Sequence, residues 1–120
     1  RFGQNKAPAY ISWSSENRSQ LVRVPAAIGE YRRAELRSPD PGANPYLAFA
    51  LIIYAGLYGI QNKLPLPDVN NINLYKADSE TLKKFKKLPE SLKTACKIAA
   101  ESEFIKEHIP TAILDIYCNR

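Results

Sequence analysis

The feature that most constrains the fold of this 120-residue chain is an unbroken apolar run over residues 46–60. Asn44 is a favourable helix N-cap and Pro45 suits the first turn, so the run predicts a helix that is apolar on every side. The run is shorter than the roughly 18–20 residues that a membrane-spanning helix needs, which favours burial within protein. Because so short a chain cannot surround this helix, we expect it to belong to a larger protein or to pack against partner subunits.

Three short segments before this run are predicted to be β-strands, because polar residues alternate with apolar or β-branched ones. They span residues 9–14, 21–24 and 32–37. Pro25 ends the second segment, and the proline-rich residues 38–42 prevent a helix or strand from continuing after the third. The short connections allow an antiparallel meander, which would bring Arg23 close to residues 33–37.

An extended loop over residues 63–77 precedes three further predicted helices. Asp78 or Ser79 can cap the first of these helices, which is predicted to reach about Lys87. Pro89 opens the second helix and Pro110 opens the third. Apolar residues at helical spacing give the last two helices core-facing stripes: Leu92, Ala95, Cys96 and Ala99, then Ile113, Leu114 and Tyr117. We therefore predict an α+β fold, with a small antiparallel sheet of about three strands in residues 1–40 and a mostly α-helical part in residues 44–120.

The positive charges are divided by residue type along the chain, which has a net charge of +5. Nine of the ten lysines lie from Lys63 onward, whereas six of the seven arginines lie within the first 37 residues: Arg1, Arg18, Arg23, Arg32, Arg33 and Arg37. Arginine suits fixed, bidentate anion binding, so the first third is predicted to be an anion site. Nucleic acid is the rival anion, but no segment matches a nucleic-acid-binding module, and we expect none to bind.

Cys96 and Cys118 are too few for a disulfide scaffold and lack the spacing of metal ligands. Cys96 falls on the apolar stripe of its helix, where a buried free thiol is ordinary. This favours a reducing, cytoplasmic location. His108, the only histidine, is predicted to lie on the surface near a helix end rather than to act as a catalyst or ligand.

The best indication of chemistry is the alternation of Arg33, Glu35 and Arg37. On a strand these three side chains share one face. A carboxylate is a hard ligand for Mg²⁺, and guanidinium groups match phosphate and carboxylate geometry, so the row predicts a divalent cation beside a polyanion. The alternative is a salt-bridge ladder on a solvated sheet face.

Phosphoryl transfer is the reaction class that this residue set favours, because its catalysis is mostly positioning and charge neutralisation. The sequence has no Gly-rich phosphate loop and no Ser/His/Asp or Cys/His arrangement for acyl transfer.

Four ordered motifs resemble the C-terminal part of the catalytic domain of glutamine synthetase, of the bacterial class I type. They are Asn-Arg-Ser with Val-Arg-Val-Pro at residues 17–25, Arg-Ala-Glu-Leu-Arg-Ser-Pro-Asp at 33–40, Ala-Asn-Pro-Tyr-Leu-Ala-Phe-Ala at 43–50, and Ala-Gly-Leu-Tyr-Gly-Ile-Gln-Asn-Lys at 55–63. Asn-Leu-Tyr at 73–75 continues the match, which covers nearly the whole chain.

The resemblance implies part of an ATP-dependent ligase that forms glutamine from glutamate and ammonia through γ-glutamyl phosphate, with Mg²⁺ or Mn²⁺. It implies a cytoplasmic homo-oligomer, a dodecamer of stacked rings with active sites between neighbouring subunits, and no membrane. The isolated fragment is expected to be inactive. The matched roles are metal ligand for Glu35; glutamate binding for Arg1, Arg18 and Arg37; ATP binding for Arg18 and Arg23; and catalysis beside the transferred phosphoryl group for Arg18 and Arg33.

Two positions depart from the pattern of the family: Lys6, and Glu30 or Tyr31, near which the family usually has a lysine that contacts ATP. Lys6 stands where the family usually has a flap glutamate that accepts a proton from ammonium. Tyr75 matches a tyrosine that is adenylylated in some members, although a packed loop tyrosine is the alternative. The Lys6 departure leaves open a related ligase that joins glutamate to another amine. A non-catalytic assembly or regulatory module is a second alternative.

Overall fold

The computed structural model describes residues 6–118, and these form two compact units. The sheet unit comprises residues 6–40 together with Pro67–Pro89. The helical unit comprises Pro41–Leu66 together with residues 90–118. Both units are therefore built from two separate stretches of the chain.

The sheet has three short strands in the order β1-β2-β3: Trp13–Ser14, Val22–Arg23 and Glu35–Leu36. This arrangement confirms the α+β class and the small sheet. β2 and β3 are antiparallel as predicted, with Val22 opposite Leu36 and Arg23 opposite Glu35. The prediction of a fully antiparallel sheet is wrong for β1 and β2, which pair in parallel.

The parallel pairing arises because the β1–β2 connection turns more than once. The hydroxyl of Ser14 accepts the backbone N–H groups of Glu16 and Asn17, both at 3.2 Å. The Asn17 side chain then accepts the N–H of Ser19 at 2.9 Å. A hairpin needs one reversal of direction, whereas these successive side-chain-stabilised turns return the chain to β2 in the same direction as β1.

Two predicted elements are shorter than expected because their residues pair with each other. Tyr10 forms an antiparallel bridge with Lys87, flanked by hydrogen bonds from Ile11 N to Lys86 O and from Leu88 N to Ala9 O, each 2.8 Å. The first residues of the predicted strand 9–14 therefore pair with residues 86–88, and only Trp13–Ser14 belong to the sheet. The same pairing holds residues 86–88 extended, so the helix predicted to reach about Lys87 is only α2, Ser79–Leu82.

The helical unit contains α1, α3, α4 and α5: Pro45–Gln61, Leu92–Glu101, Glu103–His108 and Thr111–Cys118. A separate α4 was not predicted. It begins where Ser102 ends α3 and accepts the N–H of Ile105 through its hydroxyl. His108 ends α4 as expected but is half-buried, with its ring 4.2 Å from that of Tyr54, and so the predicted surface position is wrong.

α1 exposes much of its apolar surface within the helical unit. None of its residues is buried, and Tyr46, Phe49 and Ile60 are 85%, 65% and 75% exposed. Such a surface is typical of an element that a larger assembly covers. Among residues 6–118, no helix has both the length and the apolar character needed to cross a bilayer.

We expect Asn44→Ala to loosen the first turn of α1. The Asn44 side chain accepts the N–H groups of Tyr46 at 3.0 Å and Leu47 at 3.4 Å. Loss of such a cap costs about 1 kcal/mol, so hydrogen exchange in this turn should be roughly five times faster in the full-length protein. Asn44→Asp keeps the capping oxygen and is the matched control. Equal exchange rates in Asn44→Ala and the unmodified protein would contradict the assigned cap.

Candidate functional site

The centre of the candidate site is an ion pair across β2 and β3. Their register places Arg23 opposite Glu35, and Arg23 Nη1 donates to both carboxylate oxygens, at 3.0 Å to Oε1 and 2.9 Å to Oε2. Arg23 Nε donates to the backbone oxygen of Glu16 at 3.2 Å, which fixes the guanidinium plane. Arg33 approaches from the segment that precedes β3, with Nε 3.4 Å from Oε1. The sequence-predicted proximity of Arg23, Arg33 and Glu35 is therefore present.

The carboxylate of Glu35 is held in its ionised form. The hydrogen bond from Arg23 lowers its pKa below the ordinary value; desolvation opposes this, while the charges of Arg23 and Arg33 add to the lowering. The side chain remains about one-third exposed, at 33%. A lowered pKa means that the stabilisation from this ion pair is present at neutral pH and is lost as the pH falls through the lowered value.

Arg37 directly follows β3 and contacts different groups from the other two members of the row. Its Nη1 is 3.5 Å from the hydroxyl of Tyr75, and its Nη2 donates to the backbone oxygen of Lys6 at 3.4 Å. The backbone N–H of Arg37 donates to Leu21 O at 2.9 Å, which fixes the strand end. The predicted row thus divides into the Arg23–Glu35–Arg33 cluster and a separate Arg37 position.

Tyr75 connects three segments of the sheet unit through one hydroxyl group. The hydroxyl lies 2.5 Å from Lys6 O and 3.2 Å from Arg18 O, besides its contact with Arg37. These partners, Lys6, Arg18 and Arg37, are all positions that the sequence analysis associated with the proposed site. Sequence reasoning treated Tyr75 only as a packed loop residue or a modification site and missed this connecting role.

Arg18 is exposed on a loop that is anchored by buried polar side chains. Ser19 and Gln20, which follow it directly, are 1% and 0% exposed. Ser19 Oγ accepts the N–H of Leu74 at 2.9 Å. Gln20 donates to Ile72 O at 2.8 Å and accepts from Asn70 Nδ2 at 3.1 Å. Every buried side-chain polar atom among the described residues has a partner, so the loop bearing Arg18 is firmly placed.

Glu35 is the carboxylate of the candidate site that could serve as a metal ligand. No group of three or more His, Cys, Asp and Glu side chains within residues 6–118 could hold a metal ion. Mg²⁺ commonly takes one or two protein carboxylates and completes its shell with water and substrate phosphates. Glu35 fits that kind of site as one ligand. Arg1, the remaining sequence-predicted site residue, lies outside the described residues.

Comparison with known proteins agrees with the resemblance seen in the sequence. The family model described as "Glutamine synthetase, catalytic domain" matches residues 1–120. The chain therefore belongs to the glutamine synthetase catalytic-domain family. A glutamine synthetase of Methanosarcina mazei is 45% identical over 114 residues, covering 93% of this chain and 26% of that protein. One of Staphylococcus aureus strain MW2 is 45% identical over 116 residues, covering 95% and 26%. The chain spans about a quarter of the length of these curated relatives.

Proposed function

We propose that this chain is part of an ATP-dependent glutamate–ammonia ligase, to which it contributes anion-binding arginines and one metal-binding carboxylate. The observation that supports this most directly is the Arg23–Glu35–Arg33 cluster in a chain of the glutamine synthetase family. Two guanidinium groups converge on the Glu35 carboxylate, whose side chain is 33% exposed and therefore reachable by a cation.

In the proposed reaction, ATP phosphorylates the side-chain carboxylate of glutamate, and ammonia then displaces phosphate from the γ-glutamyl phosphate. Arg18 and Arg23 would bind phosphate groups of the nucleotide, and Arg33 would lie beside the transferred phosphoryl group. Glu35 would hold Mg²⁺ or Mn²⁺, which when bound neutralises charge on the phosphates.

Three arginines of the set are proposed to recognise glutamate, and one of them, Arg18, would also contact the nucleotide. Arg37 and Arg1, together with Arg18, would bind the substrate carboxylates through their guanidinium groups. Because the backbone at Lys6 and Arg18 and the side chain of Arg37 all contact Tyr75, these groups would be held in a fixed relation before substrate binds.

The isolated chain is proposed to be inactive, because residues 6–118 contain no group of three or more possible metal ligands and the chain spans a quarter of the length of its relatives. The full-length protein is proposed to act as a cytoplasmic homo-oligomer, a dodecamer by analogy with the family.

Lys6 bears on which amine the full-length protein uses. Its side chain is exposed, and an ammonium group cannot accept a proton from ammonium as a carboxylate would. The test is phosphate release by the full-length protein with ATP, Mg²⁺ and glutamate, using ammonium and a panel of primary amines. We expect turnover with ammonium, increased by Lys6→Glu but not by the control Lys6→Gln. Turnover with another amine only would favour the related ligase, and absence of turnover with every amine would contradict the proposal.

Tyr75→Phe tests whether the tyrosine hydroxyl positions the glutamate-binding groups. Loss of its hydrogen bonds should raise KM for glutamate about fivefold in the full-length protein, with a smaller change in kcat, since one hydrogen bond contributes about 1 kcal/mol. Tyr58→Phe is the matched control, because Tyr58 is 47% exposed and Tyr75 is 44% exposed. An unchanged KM in Tyr75→Phe would mean that the hydroxyl has no positioning role.

A further inference from the structure

The two cysteines, 22 positions apart in sequence, meet between α3 and α5. Cys96 lies in the middle of α3, and Cys118 is the last residue of α5. Cys96 Sγ donates to the backbone oxygen of Tyr117 at 3.5 Å. That carbonyl belongs to the peptide bond leading into Cys118, so the Cys96 sulfur lies within one residue of the second thiol.

The surroundings of Cys118 include the Cys96 thiol. Burial raises the pKa of the Cys118 thiol, and the charge and hydrogen bonding of Cys96 raise it further, with a smaller contribution from Asp115. The hydrogen bond from Cys96 to Tyr117 O and the groove that both cysteines line are the geometric observations that bring the two residues together. Both cysteines are free and only half-buried, so the sequence-based expectation of a buried Cys96 is wrong.

A surface groove gives solvent access to both thiols. Cys96 and Cys118 line it together with Lys93, Lys97 and Tyr117. The Lys97 ammonium group is 4.0 Å from Glu101, a loose pair on an exposed surface. Two lysines beside the thiols make the groove suited to a small anionic reagent.

We propose that Cys96 and Cys118 form a reversible intramolecular disulfide by exchange with an anionic small-molecule disulfide of the glutathione type. The Cys96 thiolate attacks one sulfur of the reagent, breaks its S–S bond and releases one glutathione thiolate. The Cys118 thiolate then attacks the Cys96 sulfur of the mixed disulfide and releases the second glutathione. Two protein thiols are oxidised, one glutathione disulfide is reduced to two glutathiones, and two protons leave the protein.

A transient disulfide of this kind agrees with a reducing environment, in which such bonds are typically redox-sensing rather than structural. Closing it would link the middle of α3 to the end of α5. The pair is separate from the Arg23–Glu35–Arg33 cluster, which lies in the sheet unit, and the proposal does not depend on the ligase activity.

The test uses the full-length protein in its native state, incubated with glutathione disulfide and then mapped by mass spectrometry without reduction. We expect the Cys96 and Cys118 peptides to be joined with loss of two hydrogens, and reduction to separate them. In Cys118→Ser, and equally in Cys118→Ala, the reaction should stop at a glutathione adduct on Cys96. Adducts on both cysteines of the unmodified protein, with no joined peptide, would overturn the proposal.

Two kinetic measurements test the mechanism. Because the pKa of Cys118 is raised, conversion of the Cys96 adduct to the disulfide should accelerate as the pH rises above neutrality. Glutathione disulfide should react about fivefold faster than the cationic disulfide cystamine at low ionic strength, and this preference should shrink with added salt. Equal rates for the two reagents would overturn the assignment of an anionic disulfide.

Discussion

Glu35→Gln in the full-length protein will lower kcat for phosphate release by about 100- to 1,000-fold and raise the Mg²⁺ concentration needed for half-maximal activity. The amide keeps the shape of the side chain and can still accept a hydrogen bond from Arg23, but it removes the anionic oxygen that a hard cation requires. Activity as a function of Mg²⁺ concentration is the measurement.

Glu30→Gln is the matched control for this substitution. Glu30 lies in the short 3-10 helix Gly29–Tyr31 of the same unit, and its side chain is exposed. The control should retain activity and metal dependence. If Glu35 serves only as the partner of Arg23, Glu35→Gln will weaken the fold but leave the Mg²⁺ dependence unchanged. Full activity of Glu35→Ala would instead favour a non-catalytic assembly or regulatory module.

Gln20→Leu will destabilise the sheet unit by about 3 kcal/mol, more than the loss of about 1 kcal/mol expected when the Asn44 cap is removed. Gln20 is fully buried, and the substitution removes the acceptor of Asn70 Nδ2 and leaves Ile72 O with only the longer hydrogen bond from Ser19 Oγ, at 3.5 Å. Each orphaned buried group costs roughly 1–3 kcal/mol. The effect is measured as faster hydrogen exchange over residues 70–74 and a lower urea midpoint for the full-length protein.

Gln61→Leu makes the same chemical change on an exposed residue at the end of α1. It should alter stability by no more than about 0.5 kcal/mol. Similar destabilisation by the two substitutions would mean that the buried hydrogen bonds of Gln20 contribute no more than a surface residue does.

Local signals predicted the elements that depend on neighbouring residues. Asn44 and Pro45 predicted the start of α1, which spans Pro45–Gln61, and Asp78 caps α2 as expected. The alternation around Glu35 predicted its contact with Arg33, and the short β2–β3 connection predicted its contact with Arg23. These features depend on spacing that can be read directly along the chain.

The features that were missed depend on side chains reaching distant backbone groups. Gln20 and Ile72, Ser19 and Leu74, and Tyr75 and Arg18 are joined across 52 to 57 positions. Such hydrogen bonds leave no periodic pattern in the sequence. The cluster of asparagines at positions 70, 71 and 73 is the one sequence signal that could have indicated a polar anchor in the supposed extended loop.

The polar centre of the sheet unit also has a consequence for the order in which the protein is made. Ser14, Ser19 and Gln20 are buried by residues that leave the ribosome some 50 positions later. Until those residues emerge, the buried polar side chains of the earlier segment lack these hydrogen-bond partners, and its strands are only two residues long. We therefore expect the arginine-bearing segment to remain an open, hydrated chain until residues 70–74 have left the ribosome.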